Sequence, residues 1–208
     1  MDDVLTILKE TGAILEGHFI GTSGRHLALY VNKDLVSPRT SVVSRIGQLF
    51  AELNKDKGVE VVVSPAVGAI ALSQWTAFHL SQMTGKEVLS LFTEKTPDEN
   101  QVFKRGYDAL VKGKNVLIVE DVVTTGGSVK KTFDAVVAAG GNVVQVSLMV
   151  NRDPEHVTSE SMGFSLNSLG TIKAESWGED EVPEWLKKIP ISTMVGHGAK
   201  YLKEHPQA

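Results

Sequence analysis

The chain has no cysteine, which excludes disulfide bonds and thiolate metal sites. It also has no long apolar span and no N-terminal apolar run, so neither a membrane-crossing helix nor an export signal is expected. Nor is there an excess of positive charge. With 21 Lys and Arg against 25 Asp and Glu, the formal net charge is -4, which disfavours nucleic acid or a membrane surface as a partner. Internal repeats, low-complexity tracts and linkers that would split the chain are missing as well. What remains is 208 residues, 42% of them hydrophobic and 22% charged, the size and balance of one globular domain with a full core. The expectation is one domain over 1–208, in the cytoplasm.

Periodicity organises that domain. Val4, Leu5, Ile7 and Leu8 recur at helical spacing after Asp3, and an apolar turn through Ile14 and Leu15 is expected to follow. The segment 17–31 reads as two short strands around a Ser-Gly turn, a hairpin outside the main repeat. From Ser41 to Leu53 one helical face carries Val42, Val43, Ile46, Leu49, Phe50 and Leu53, and Gly58 supplies a stop before a strand over 59–63. A tight turn over 64–68, a helix over 69–83 and a strand over 87–92 repeat the pattern, followed by a polar, charged stretch over 93–106 that reads as a mobile loop. A strand over 116–119, a helix over 129–139 and a strand over 143–150 complete an α/β core with a right-handed parallel sheet. Beyond Arg152 the pattern weakens to a possible strand over 164–169 and an acidic stretch over 179–184.

Chemistry concentrates where the strand 116–119 runs into Glu120, Asp121, Val122, Val123, Thr124, Thr125, Gly126, Gly127 and Ser128. A glycine turn opening a helix aims free backbone N–H groups and the positive end of the helix dipole at an anion, and three hydroxyls add donors for phosphate. The two carboxylates suit sugar hydroxyls or a hydrated magnesium ion. In an open α/β sheet the ligand crevice lies beyond the carboxyl ends of the strands, which brings together the turn 64–68, the loop 93–106 and the run 120–128.

The run Val-Glu-Asp-Val-Val-Thr-Thr-Gly-Gly-Ser resembles the phosphoribosyl diphosphate (PRPP) signature of the type I phosphoribosyltransferases. That resemblance implies a central parallel sheet flanked by helices with a small N-terminal hood, residues 1–35 mainly forming the hood and 59–152 the PRPP-binding core. It implies that Thr124 to Ser128 hold the 5-phosphate, Glu120 and Asp121 the ribose hydroxyls, and the turn with Ala66 and Val67 the pyrophosphate. The hairpin with Phe19, Thr22, Arg25 and Tyr30 resembles the base-covering segment of the orotate phosphoribosyltransferases, and Arg152 resembles that branch's strand-end arginine. An arginine suits an anionic base. Orotate binding is therefore implied for Phe19, Thr22, Arg25, Thr124 and Arg152.

Two departures from that branch stand out. Thr22 occupies a position where many members carry lysine, and the loop 93–106 lacks the Arg-Lys…Lys-x-His pattern. By position and charge, Lys95, Lys104 and Arg105 take the part of the loop cations, with Asp121 and Lys95 as the catalytic residues. The resemblance further implies PRPP and orotate as substrates, Mg2+ carried mainly by the diphosphate and water rather than by a protein metal site, and a homodimer with loop exchange. The alternatives are a phosphoribosyltransferase for a purine or uracil base, or a non-catalytic PRPP-sensing regulator.

Overall fold

In the computed structural model, residues 3–21, 24–173 and 175–205 are described. The chain opens with helix α1 (Val4–Glu10), whose first turn is capped by the Asp3 carboxylate accepting from the Thr6 amide at 2.7 Å. Strands β1 (Ile14–Ile20) and β2 (His26–Val31) follow as an antiparallel pair. The expected turn through Ile14 and Leu15 falls earlier. Gly12, at φ +70°, takes the left-handed conformation that ends α1, so Ile14 already pairs with Val31.

Helix α2 (Thr40–Asn54) buries Val43, Ile46, Gly47, Phe50 and Ala51 at three- and four-residue spacing. After Gly58 in the left-handed conformation come β3 (Val61–Pro65), α3 (Ile70–Thr84), β4 (Leu89–Lys95) and the short β5 (Gln101–Val102). Then follow α4 (Tyr107–Val111), β6 (Asn115–Val123), α5 (Gly127–Ala138) and β7 (Asn142–Asn151). The last elements are α6 (Ser159–Met162), β8 (Leu166–Thr171), β9 (Ser176–Trp177), α7 (Glu184–Lys187) and α8 (Gly198–Glu204).

The main sheet has the order β5-β4-β3-β6-β7-β8, and every pairing is parallel except β4 with β5. Alternation along the central strands feeds two cores. Val62, Leu117 and Val119 pack with Ile46 and Phe50 on one face, while Val61, Val63, Val116 and Ile118 pack with Val129 and Val136 on the other. Each such fully buried aliphatic side chain contributes about 1.5–3 kcal/mol.

One sequence expectation is corrected here. Residues 93–106 do not form a free loop between strands. β4 runs on to Lys95 and β5 pairs back on it, with Glu94 opposite Val102 and Lys95 opposite Gln101. The turn is closed by local bonds, the Thr96 amide donating to the Asn100 carbonyl at 2.9 Å and the Asn100 amide to Thr96 Oγ1 at 3.0 Å. In the tail, the possible strand over 164–169 forms as β8, which extends the main sheet beside β7, and β9 pairs with β2, so the small sheet β1-β2-β9 draws on both halves of the chain. The segment after α7 then docks along β1, with the Ser192 amide donating to His18 O at 2.7 Å and the His197 amide to Ile20 O at 2.9 Å.

Candidate active site

β6 carries its polar residues inside the strand rather than beyond it. Glu120 and Asp121 are 7% and 4% exposed. Being adjacent on a strand, they point to opposite faces. Asp121 faces the side of α2 and α3, where its Oδ2 accepts from Lys33 Nζ at 2.7 Å. Its Oδ1 accepts from the Val122 amide at 2.5 Å. Glu120 faces α5, its carboxyl hydrogen-bonded by the Ser128 side chain and by the Asp121 amide at 3.2 Å. Burial, reinforced by the neighbouring Asp121 charge, pushes the Glu120 carboxyl up to about 8 despite these donors and the Lys33 charge. Burial thus favours the neutral form of Glu120, while Asp121 is ion-paired with Lys33.

A stability prediction follows from Glu120. Its folded-state value lies above the unfolded carboxylate value near 4.5, so the native state holds a proton that the unfolded chain releases, and stability falls as pH rises from about 4.5 to about 8. Glu120→Gln removes that dependence. The variant is expected to gain on the wild type by up to about 1.4 kcal/mol per pH unit across this window. Urea unfolding at the two ends of the window checks this, and parallel curves would refute it.

Lys33 is the residue that the sequence reading missed. It lies in a single 3-10 turn, Lys33–Leu35, just after β2. Burial works against its charge, but the Asp121 carboxylate more than compensates, and its pKa is raised. Gly68, in the turn between β3 and α3, brings the backbone against this pair. A Cβ there would strike Asp121 Oδ2 and lie 2.7 Å from Lys33 Nζ. Beside it, Val67 is 81% exposed, Ala66 donates its amide to Thr93 O at 2.8 Å, and the Ala66–Val67 peptide is cis. Three separated segments thus meet at the carboxyl end of the sheet: the turn 66–69, the end of β6 and the turn after β2.

The loop from β6 into α5 is open. Thr124, Thr125, Gly127 and Ser128 are exposed at the N-terminus of the 12-residue α5, while Gly126 is buried at φ +76°. A Cβ on Gly126 would lie 2.7 Å from the Met162 methyl. That flexible side chain can swing aside, so the left-handed backbone sets the cost. Gly126→Ala is expected to lose about 1–2 kcal/mol of stability. Urea unfolding of the variant beside the wild type checks this. Val122 and Val123 differ from their neighbours. Their side chains pack into the two cores, and the Val123 carbonyl accepts from the Arg152 amide at 2.8 Å, so neither offers a side-chain polar group to a ligand.

Around Arg152 the geometry is distinctive. The residue follows β7, and its Nη2 donates to Leu29 O of β2 at 3.3 Å, while its buried Nε has no partner. Burial lowers its pKa, with Tyr30 acting in the opposite sense. Neighbouring acids do not neutralise it: Asp153 is bonded to His156 at 2.8 Å and Glu155 to Lys173 at 2.6 Å. Phe19 is buried in β1 with its ring 5.5 Å from that of Tyr30.

Other expected residues are engaged elsewhere. Arg25 holds β9 and the following turn, through Ser176 O at 2.7 Å and Glu181 at 3.6 Å. Lys95 is paired with Glu99 at 2.9 Å, and both Lys104 and Arg105 with Glu94 at 3.1 Å. The three loop cations are thus bound within their own hairpin. Thr22 lies outside the described residues.

Comparison with known proteins agrees with this geometry. The phosphoribosyl transferase domain family matches residues 39–179. The orotate phosphoribosyltransferase of Caldicellulosiruptor saccharolyticus is 36% identical over 187 residues, covering 90% of this chain and 92% of its own. The chain belongs to the orotate phosphoribosyltransferase family. A second relative, the orotate phosphoribosyltransferase of Bartonella henselae, is 36% identical over 90% of this chain and 93% of its own. A solved orotate phosphoribosyltransferase from Mycobacterium tuberculosis matches with a TM-score of 0.65 at 25% identity, over 82% of this chain and 97% of that one.

Proposed function

We propose that the protein transfers the 5-phosphoribosyl group of PRPP to N1 of orotate, in the cytoplasmic synthesis of pyrimidine nucleotides. The bond from ribose C1 to the diphosphate oxygen breaks, the bond from C1 to N1 forms, and the N1 proton is released, giving orotidine 5-monophosphate and pyrophosphate. The observation that carries the reading is Arg152, a half-buried side chain whose buried Nε has no partner, beside the strand end that carries Asp121. Such a group suits the carboxylate of an anionic base.

The amides of Gly127 and Ser128 at the α5 N-terminus, with the hydroxyls of Thr124, Thr125 and Ser128, take the 5-phosphate. Asp121 and the protonated Glu120 hold the ribose hydroxyls, Asp121 accepting and Glu120 also donating. The charge on Asp121 faces the positive charge that develops on the ribose ring. The turn at Ala66, Val67 and Gly68 receives the diphosphate, and Lys33 adds positive charge there. Phe19 and Tyr30 cover the base, with Arg25 immediately before β2 beside them. Lys95, Lys104 and Arg105 reach the diphosphate only after leaving Glu94 and Glu99. Among the described residues no group of three or more His, Cys, Asp or Glu is placed to hold a metal. Mg2+ held by the diphosphate and water fits that donor set, neutralising the leaving group when bound.

A homodimer with exchange of the 93–106 hairpin completes the reading. It is supported by the packed pair α2 and α3, which leaves Leu53, Phe78 and Met83 between 41% and 49% exposed. Light scattering should give twice the chain's 22.5 kDa, and the monomer mass would refute it.

The deciding test follows the ultraviolet absorbance of orotate on adding PRPP and Mg2+, with hypoxanthine, adenine and uracil in parallel. PRPP-dependent loss of orotate is the expected result. Use of another base instead would keep the PRPP site and discard the role of Arg152. PRPP binding without turnover of any base would favour a sensor, the reading in which the paired loop cations stay paired.

A further inference from the structure

A pair of histidines outside this site joins the base-covering sheet to the tail. His18 of β1 and His26 of β2 are 5% and 4% exposed, and His18 Nε2 lies 2.7 Å from His26 Nδ1. The proton positions follow from the partners. His18 Nδ1 faces the Ile189 carbonyl at 3.0 Å, which only accepts, so Nδ1 carries the hydrogen. Neutral His18 then accepts at Nε2 from His26 Nδ1–H, and His26 Nε2 is left bare, buried and without a partner. Neither ring has a place for another proton. A hydrogen added to His18 Nε2 would meet the His26 donor head on, and one added to His26 Nε2 would be a buried charge-bearing donor with no acceptor.

The surroundings do not rescue the charged form. Tyr201 of α8 sets its ring at right angles to His26 at 5.1 Å, and His205, just past α8, stacks on Tyr201 at 4.2 Å. Glu179, the acidic group facing the pair, is bonded to Tyr201 and lies 4.0 Å from His205. β9 presents Trp177 opposite His26, and the segment after α7 presents the backbone of Ile189 and Ser192. Burial lowers the His26 pKa first and the proximity of His18 second, with His205 adding to them and Glu179 opposing.

The pair lies where three things meet. Ile191 bridges to His18, the Ser192 amide bonds His18 O, and Gly196 fits so closely that a Cβ would lie 2.7 Å from Ile20 O and 3.6 Å from the Tyr30 ring. Three and four residues beyond His26, β2 supplies Leu29 O to Arg152 and Tyr30 to Phe19. We propose that His18 and His26 are positioning residues: a neutral, hydrogen-bonded latch that clamps residues 189–201 onto the sheet of β1, β2 and β9 and releases them when His26 takes up a proton. The consequence for orotate rests on the function proposed above; the latch itself does not.

A base whose folded-state pKa is depressed contributes stability above its unfolded value, about 6.5, and loses it as pH falls below that. The closed arrangement should therefore hold at about pH 8 and loosen from about pH 6.5 downward. Hydrogen exchange at the Ser192 and His197 amides, corrected for intrinsic rates, reads the opening directly. The expected opening constant is flat above about pH 6.5 and rises by up to about tenfold per unit below it for each proton taken up. His26→Asn keeps a donor near the Nδ1 position but cannot ionise, and its profile should stay flat. Over the same range the KM for orotate should rise in the wild type but not in the variant, which cancels any titration of the substrates. A flat wild-type exchange profile, or the same slope in His26→Asn, would overturn the latch. If the variant fails to fold, the wild-type profile alone decides. Failure to consume orotate at about pH 8 would instead refute the functional reading and leave the exchange result standing.

Discussion

Asp121→Asn is expected to lower PRPP-dependent turnover of orotate by about 10²–10³-fold, while the protein still folds. The substitution preserves shape and removes one charge. In the wild type both carboxylate oxygens are used, Oδ2 by Lys33 at 2.7 Å and Oδ1 by the Val122 amide at 2.5 Å. An amide has one acceptor, so the variant keeps one of these bonds and turns a donor toward the other partner. The structural cost is modest. The Lys33 side chain is 44% exposed and can return to water, leaving mainly the lost bond at about 1–2 kcal/mol. The catalytic cost is larger. In the proposed reaction Asp121 faces the ribose as it becomes cationic, and an amide there offers no charge to stabilise it. Circular dichroism and the melting temperature separate folding from activity. Unchanged turnover in a folded variant would remove Asp121 from the reaction.

The ease of reading this chain from its sequence varied with the range of the interactions. Helices α2 and α5 and the strand at Val116 to Val119 were legible because each writes its own periodicity, and the run through Ser128 because seven polar or glycine positions stand in order. Lys33 was not legible: its partner lies 88 residues away, and nothing local distinguishes it from any lysine after a hairpin. The hairpin over 93–102 was misread because its turn is as charged and proline-broken as a loop, and its closure depends on Thr96 and Asn100 bonding across the turn. The tail was illegible for a related reason. It docks on β1 through backbone groups, which leave no pattern in side chains, and the histidines beneath it look like any two histidines until the fold brings their rings together. Glu120 and Asp121 stand side by side in the sequence, and only the fold separates their surroundings, Asp121 meeting Lys33 and Glu120 the start of α5.

Arg152→Ala is expected to raise the KM for orotate by about ten- to a hundredfold and to change that for PRPP little, a charge-assisted hydrogen bond being worth about 1.5–3 kcal/mol. Selectivity follows from where the side chain lies. Its backbone amide bonds Val123 O at the end of β6, yet its guanidinium reaches the other way, to Leu29 O under the base-covering sheet. The long 3.3 Å contact and the idle, buried Nε leave it capacity for a ligand, and a half-buried guanidinium without a carboxylate partner gains more from an anion than a fully exposed one would. Arg152→Lys should not restore binding. A lysine supplies the charge, but a compact ammonium cannot present two parallel donors to a carboxylate in place of the planar fork. Initial-rate kinetics with each substrate varied in turn decides the matter. Equal losses for orotate and PRPP would show Arg152 supporting the strand end rather than reading the base, and full recovery in the lysine variant would show that charge alone, without the fork, is what the base requires.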